Sequence, residues 1–150
     1  MRVRRRARIV ALQALFEIDM SHHDPETVLT ERFADKELPP EGEAFARALV
    51  MGALEHRPEI DCLIERVAPE WPVEQIAGVD RAILRLAIYE IVFSGETSPK
   101  VAINEAVELA KIFGSDSSRR FVNGALGALV AQLPTLPTSD STLRQQNESA

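Results

Sequence analysis

The first eight residues of this 150-residue chain hold its densest group of like charges. None of the eight is acidic, and five are arginines: Arg2, Arg4, Arg5, Arg6 and Arg8. A guanidinium group donates forked hydrogen bonds that match the oxygens of a phosphate. The whole chain has a formal net charge of -6, so this basic N-terminus belongs to an otherwise acidic molecule. A charge distribution of this kind indicates an anion-binding tip, and phosphate is the anion that we expect there.

The helix that should carry these arginines makes their position unusual. Ile9, Leu12 and Phe16 recur at the spacing of one helix face and predict a first helix over residues 4–20. Cations at the start of a helix oppose the helix dipole, which favours anions at that end. A sequence that breaks a local preference often does so at a functional site. A solubilising, partly frayed tip would also account for the arginines.

A second candidate group lies near the other end of the chain. Arg119 and Arg120 precede Phe121 at the predicted start of the last helix, and Lys100 begins the helix before it. Arginines contact phosphates, and an exposed aromatic ring can stack on an unpaired base. The sequence leaves two interpretations of Phe121 open, a base-stacking residue or a core residue. Together with the N-terminal arginines, this group predicts a nucleic-acid-binding site.

Sequence motifs of enzymes and of cofactor or metal sites are missing. There is no glycine-rich phosphate loop, no paired-cysteine spacing and no nucleophile elbow. Cys62 is the one cysteine, so no intramolecular disulfide forms, as suits a reducing cytosol. We expect it to pack inward rather than act as a nucleophile. No apolar run is long enough to span a membrane. The sequence therefore predicts a cytoplasmic protein that is not an enzyme and holds no cofactor or metal.

The rest of the chain is organised around residues 80–93, DRAILRLAIYEIVF. Apolar residues cover nearly every face of this segment, which is typical of a buried helix. We predict that it is the central helix and that Arg81, Arg85 and Glu90 form its narrow exposed strip. Trp71, in the proline-containing corner just before it, is predicted to pin that corner to the core.

The remaining segments also have helical periodicity. Helices are predicted over residues 25–34, 40–56 and 100–113, from Arg57 onward, and from Ser115-Asp116 to Pro134. No stretch alternates with a period of two, so no sheet is expected. Seven helical segments with short connections predict a compact all-α bundle that forms one domain over residues 1–134. Residues 135–150 are polar and are predicted to be a disordered tail.

Three blocks of the sequence resemble the NusB family of transcription antitermination factors. They read RRRARIVALQALF, DRAILRLAIYEI and VAINEAVELAKIFGSDSSRRFVNGALGAL, and the resemblance extends from about residue 4 to residue 133. It implies an all-helical fold of two packed helical bundles. It also implies binding of single-stranded boxA RNA together with NusE, a protein that is also a component of the small ribosomal subunit. The complex serves antitermination on ribosomal RNA operons, which adds the transcription elongation complex as a partner.

The resemblance also implies site residues. The family's RNA contacts fall on the N-terminal arginines and the RRFVNG block, here Arg4, Arg5, Arg6, Arg8, Arg120 and Phe121. Arg119 and Lys100 are added to this site by their charge and position. The family's NusE surface falls on Phe16 and Asp80. Phe16 replaces the tyrosine often found at that position, so a contact through a hydroxyl group is not expected here.

Two other interpretations remain compatible with the sequence. One is a NusB-like protein-interaction module without intrinsic RNA specificity, in which the basic tip is incidental. The other is a stand-alone relative of the NusB-like domain that some ribosomal RNA cytosine methyltransferases carry, although no nucleotide-binding motif is present here. Measuring RNA binding with and without NusE would separate the first of these from an RNA-binding factor.

Overall fold

The computed structural model describes residues 2–133, and within this range the chain is all-α, as predicted. The seven α-helices are α1 (Val3–Ser21), α2 (Pro25–Asp35), α3 (Pro40–Glu55), α4 (Arg57–Val67), α5 (Gly78–Ile88), α6 (Pro99–Phe113) and α7 (Ser118–Gln132). A 3₁₀ turn, Val73–Gln75, precedes α5. A π-helical turn, Tyr89–Ser94, continues α5 and ends at Gly95, whose φ of 68° is left-handed. The predicted tail, residues 135–150, lies outside the described residues.

The helices pack as two groups. In the first, α1 packs against α2 and α3; in the second, α4, α6 and α7 surround α5. Helix α1 also packs on α5 and thereby joins the two groups. This arrangement confirms the predicted pair of packed helical bundles. Helix α5 is central, as expected, because Ile83, Leu84 and Ile88 are fully buried.

The predicted exposed strip of the central helix is wrong, because its three charged residues are buried. Each of them meets an opposite charge from another helix. The contacts are Arg81 Nη2–Asp19 Oδ2 at 2.6 Å, Arg85 Nε–Asp61 Oδ1 at 2.9 Å and Arg8 Nη2–Glu90 Oε1 at 2.8 Å. A buried charge is tolerated when it is paired and hydrogen-bonded in this way. The central helix therefore presents a polar face to the protein interior rather than to solvent.

Asp19, near the end of α1, is the centre of one such ion-pair network. Its carboxylate accepts from Arg81 and lies 3.4 Å from Arg85 and 3.6 Å from Arg57. Burial opposes its ionisation, but the hydrogen bonds from Arg81 and the three positive charges outweigh that effect and hold the pKa of Asp19 below its ordinary value. The network ties α1 to α4 and α5.

Two further expectations about burial are also wrong. Trp71 does not pin its corner to the core, because 57% of its surface is exposed. It lies in the irregular segment between α4 and the 3₁₀ turn, where no helix covers it. Cys62 does not pack inward but is exposed. The buried face of α4 is set by Ile60, Leu63 and Ile64, and Cys62 lies on the opposite side.

Candidate nucleic-acid interface

The structure divides the N-terminal arginines into those that hold α1 in place and those that face solvent. Arg8 belongs to the first kind. Its guanidinium donates two hydrogen bonds to the carboxylate of Glu90, and the Thr97 hydroxyl donates a third at 3.0 Å. Only 6% of the Arg8 side chain and 4% of the Glu90 side chain are exposed. Arg8, predicted to contact RNA, thus lies in the protein interior, because the Glu90 carboxylate compensates its charge and Thr97 donates to that same carboxylate.

Arg5 and Arg6 are attached to their surroundings but remain partly accessible. Arg5 donates two hydrogen bonds of 3.0 Å to Glu105 on α6, and 43% of its side chain is exposed. The hydrogen bonds and the charge of Glu105 raise the pKa of Arg5. Arg6 donates to the backbone carbonyl of Glu37. These contacts fix the first turn of α1 against α6 and against the segment after α2.

Arg2 and Arg4 are exposed, and neither forms an ion pair with any residue in 2–133. The guanidinium carbon of Arg4 lies 4.6 Å from the centre of the Phe45 ring, a cation–π contact that orients the side chain without neutralising it. Arg8 approaches the same ring to 5.1 Å. Phe45 on α3, which no sequence pattern connects with the arginines, therefore supports the basic tip.

Two grooves begin at this tip. The N-terminal groove is lined by Arg2, Val3, Arg4, Arg5, Arg8, Glu96, Thr97, Ser98, Val101 and Glu105. The arginine groove is lined by Arg5, Asn104, Val107, Glu108, Lys111, Arg119, Arg120 and Asn123. Arg5 lines both, so the structure brings the two separately predicted basic groups together on one side of the molecule. Lys100 is exposed on α6 but lines neither groove.

The periodicity of α7 explains why its arginines are available. Ser118, Val122 and Leu126 recur every four residues and are buried, so Arg119, Arg120 and Asn123 fall on the outer face. The hydroxyl of Ser118 accepts the backbone N–H of Ser115 at 2.8 Å, which fixes the start of the helix. Neither Arg119 nor Arg120 forms an ion pair within the described part of the chain. Asn104, Lys111 and Asn123 line this groove but were missed by sequence reasoning, since they become neighbours only in the folded chain.

Phe121 lies in a different place from the two arginines that precede it. It is half-buried against the core and lines a third depression, which we call the tryptophan hollow. The lining residues are Trp71, Gln75, Ile76, Ala77, Asp80, Ser117 and Phe121. Phe121 therefore packs partly against the core and also lines a surface depression, and its base-stacking role stays a prediction.

Of the two residues assigned to a protein partner, Phe16 lies on α1 and Asp80 lies in the first turn of α5. Phe16 is half-buried and packs over Gly78, where an added Cβ would lie 2.9 Å from the ring carbon Cε2. Glycine at this position therefore permits the close approach of α1 to α5. Asp80 is buried in the tryptophan hollow, and its Oδ1 has no hydrogen-bond partner among residues 2–133.

Residues 2–133 contain no group of three or more His, Cys, Asp or Glu side chains that could hold a metal ion. In that range no helix combines the length and the apolar character needed to cross a membrane.

Comparisons with known proteins agree on one family. The model of the NusB family matches residues 5–131. The transcription antitermination protein NusB of Roseiflexus sp. (strain RS-1) is 54% identical over 132 residues, which cover 87% of this chain and 93% of the relative. A structure of T. maritima NusB is 35% identical with a TM-score of 0.80, over 86% of this chain and 91% of that one.

A further similar structure contains other molecules. It is a crystal structure of the antitermination factors NusB and NusE in complex with double-stranded RNA. It is 29% identical to this chain with a TM-score of 0.79, over 86% of this chain and 96% of that one.

Proposed function

The chain belongs to the NusB family of transcription antitermination proteins, and on that premise we propose that it binds single-stranded boxA RNA together with NusE. The proposed RNA is the transcript of ribosomal RNA operons, and the proposed setting is the transcription elongation complex in the cytoplasm. The proposed function consists of binding alone and includes no catalytic step.

One observation carries the RNA-binding part of the proposal. The N-terminal groove and the arginine groove meet at Arg5, and together they contain exposed arginines that form no ion pair within residues 2–133. Unpaired guanidinium groups along a continuous surface suit a phosphate backbone, which releases its counterions when it is neutralised. The net acidic charge of the chain does not prevent RNA from binding there, because the grooves concentrate positive charge locally.

The family resemblance assigns the NusE surface to Phe16 and Asp80. We place the edge of that surface at Phe16, where α1 passes over Gly78 at the start of α5. Met20, 56% exposed, lies beside the same glycine and enlarges the apolar area. An exposed apolar area flanked by charged residues is typical of a surface that binds another protein.

A titration of boxA-like RNA and of a scrambled RNA, each with and without NusE, tests the proposal. We expect tighter binding of the boxA-like RNA, and a further increase in affinity when NusE is present. Equal affinity for the two RNAs under both conditions would exclude a boxA-specific factor. Binding of NusE without any RNA binding would favour the protein-interaction module.

Two variants locate the site in the same titration. Arg119→Ala with Arg120→Ala should weaken RNA binding, whereas Arg66→Ala changes an exposed arginine of α4 that lines neither groove. Phe16→Ala should reduce the effect of NusE and leave the binding of RNA alone nearly unchanged. Loss of affinity in the Arg66→Ala variant to the same extent as in the α7 variant would show that only the net charge matters.

A further inference from the structure

The N-terminal groove contains negative as well as positive charge, which the binding of phosphates does not explain. Glu96 and Glu105 line it together with the arginines of the tip. Glu105 is occupied, because both of its carboxylate oxygens accept hydrogen bonds from Arg5. Glu96 is exposed, and its carboxylate forms no ion pair or hydrogen bond with any residue in 2–133. A free carboxylate repels phosphates and donates no hydrogen bond, so it suits a ligand that also brings donors.

The backbone on both sides of Glu96 is anchored to one residue, Glu90. The N–H of Gly95 donates to the Glu90 carbonyl at 3.3 Å, and the Thr97 hydroxyl donates to the Glu90 carboxylate at 3.0 Å. Thr97 is buried, whereas Glu96 beside it is exposed. Gly95 has a left-handed φ of 68°, a conformation that glycine adopts without strain and that turns the chain sharply. These contacts fix the place at which Glu96 lines the groove.

Glu90 also anchors the helix that carries the arginines of the groove. Its carboxylate accepts hydrogen bonds of 3.0 and 2.8 Å from Arg8 on α1. Arg2 and Arg4 lie at the start of the same helix and line the groove, and neither forms an ion pair with Glu96. Exposed guanidinium groups and an exposed carboxylate are therefore held in one groove, by contacts to the same buried residue, without neutralising each other.

A ribonucleotide carries both kinds of group that such a groove binds. Its phosphate accepts hydrogen bonds from guanidinium groups, and the 2′-hydroxyl of the adjoining sugar can donate one to a carboxylate. Every ribonucleotide has this hydroxyl whatever its base, and a deoxyribonucleotide lacks it. The bases also carry donors, but these lie farther from the phosphates that the arginines hold and differ from one base to another. The 2′-hydroxyl is therefore the donor that the position of Glu96 favours.

We propose that Glu96 distinguishes RNA from DNA, by accepting a hydrogen bond from one ribose 2′-hydroxyl while Arg2 and Arg4 bind the neighbouring phosphates. With DNA in the groove, the same carboxylate meets no donor and repels the phosphate backbone. The selection thus combines attraction of ribose with rejection of deoxyribose. This inference rests on the proposed function, since it needs the strand to lie in the N-terminal groove.

The test compares a boxA-like single-stranded RNA with a DNA of the same bases, uracil included, each carrying an end label whose anisotropy reports binding to the full chain. We expect the RNA to bind about tenfold more tightly, as for one hydrogen bond to a charged group. RNAs in which a single sugar is replaced by 2′-deoxyribose, at one position after another, are then titrated. Most of the loss should come from one position, because one carboxylate accepts from one sugar.

Variants assign this preference to Glu96. In Glu96→Ala the DNA should bind about two- to fivefold more tightly than to the wild type, since one solvent-screened negative charge is gone. The sensitive 2′-deoxy position should lose its effect in this variant, because the acceptor is absent. Glu65→Ala, which changes an exposed acid of α4 that lines neither groove, should leave the RNA-to-DNA affinity ratio unchanged. Both variants should keep the wild-type melting temperature, because both side chains are exposed.

The outcomes separate this inference from the proposed function. Normal RNA binding with the same RNA-to-DNA affinity ratio in Glu96→Ala and in the wild type overturns the role of Glu96 alone. A loss in Glu96→Ala that follows the identity of a base, and not a 2′-hydroxyl, also overturns that role. Weaker NusE binding by Glu96→Ala with an unchanged ratio assigns the carboxylate to the protein partner instead. Absence of RNA binding by the wild type, with or without NusE, overturns both proposals.

Discussion

Arg8 and Glu90 form a buried, two-point ion pair between residues 82 positions apart, with Nε–Oε2 and Nη2–Oε1 distances of 3.0 and 2.8 Å. Removing one member of such a pair leaves the other charge buried without compensation. Glu90→Ala should therefore lower the free energy of unfolding by about 3–5 kcal/mol. The double variant Arg8→Met with Glu90→Met should lose much less. Denaturant unfolding of both checks the ranking, and equal losses would show that the charges contribute nothing beyond packing.

The salt dependence of RNA binding should reflect only the exposed arginines. If Arg2, Arg4, Arg119 and Arg120 each neutralise one phosphate of a single strand, the log–log slope of affinity against salt should be about -2.8. Changing Arg119 and Arg120 to Ala should flatten it by about 1.4. Affinities measured over a salt series provide the test, with Arg66→Ala as the control. A slope near -3.5 would mean that a fifth arginine, such as Arg5, also contacts phosphate.

Stability should depend more on the centre of α5 than on the start of α1. Ile88 is fully buried, and Ile88→Ala should cost about 2–5 kcal/mol of unfolding free energy. Ile9 is only half-buried, so Ile9→Ala should cost less. Urea unfolding of the two variants decides the order. A larger loss for Ile9→Ala would show that α1, rather than α5, organises the core.

Acid should weaken the ion-pair network around Asp19. Its folded-state pKa lies below the ordinary value of 3.8, so ionised Asp19 contributes stability that is complete above that value. The contribution is lost as the pH falls from 3.8 towards the lowered folded-state pKa. Asp19→Asn should therefore destabilise the protein at neutral pH. In acid, the difference in stability between this variant and the wild type should become smaller. Melting temperatures of both proteins over a pH series give the comparison, and a constant difference would exclude the network as the cause.

The sequence was most informative where a pattern is local. The four-residue spacing of apolar side chains located the helices, including the buried α5, and the density of arginines located the basic tip. The sequence wrongly predicted that Arg81, Arg85 and Glu90 are exposed. Their burial depends on ion pairs with Asp19, Asp61 and Arg8, which are distant in the chain. A charged residue looks exposed in a sequence until its partner is known.

The geometry of the candidate site also depends on contacts between residues that are distant in the chain. The residue types of the basic tip were recognisable, but the division between inward Arg8 and outward Arg4 depends on Glu90 and Phe45. Phe121 follows Arg119 and Arg120 directly, and the sequence suggested one shared site. The helical turn of α7 instead directs Phe121 towards Trp71 and Asp80, in a hollow that no local pattern indicated.

The π-helical turn at Tyr89–Ser94 also sets the direction of the chain that follows it. The N–H of Gly95 reaches back five residues to the carbonyl of Glu90, at 3.3 Å, so this turn holds one residue more than an α-helical turn. If the same residues wound as a regular α-helix instead, the chain beyond Gly95 would be rotated by about 100° about the helix axis. Thr97 would then leave Glu90, and the start of α6 would shift relative to the tip of α1. In this segment the winding of the helix, as well as the identity of its residues, specifies where the basic surface lies.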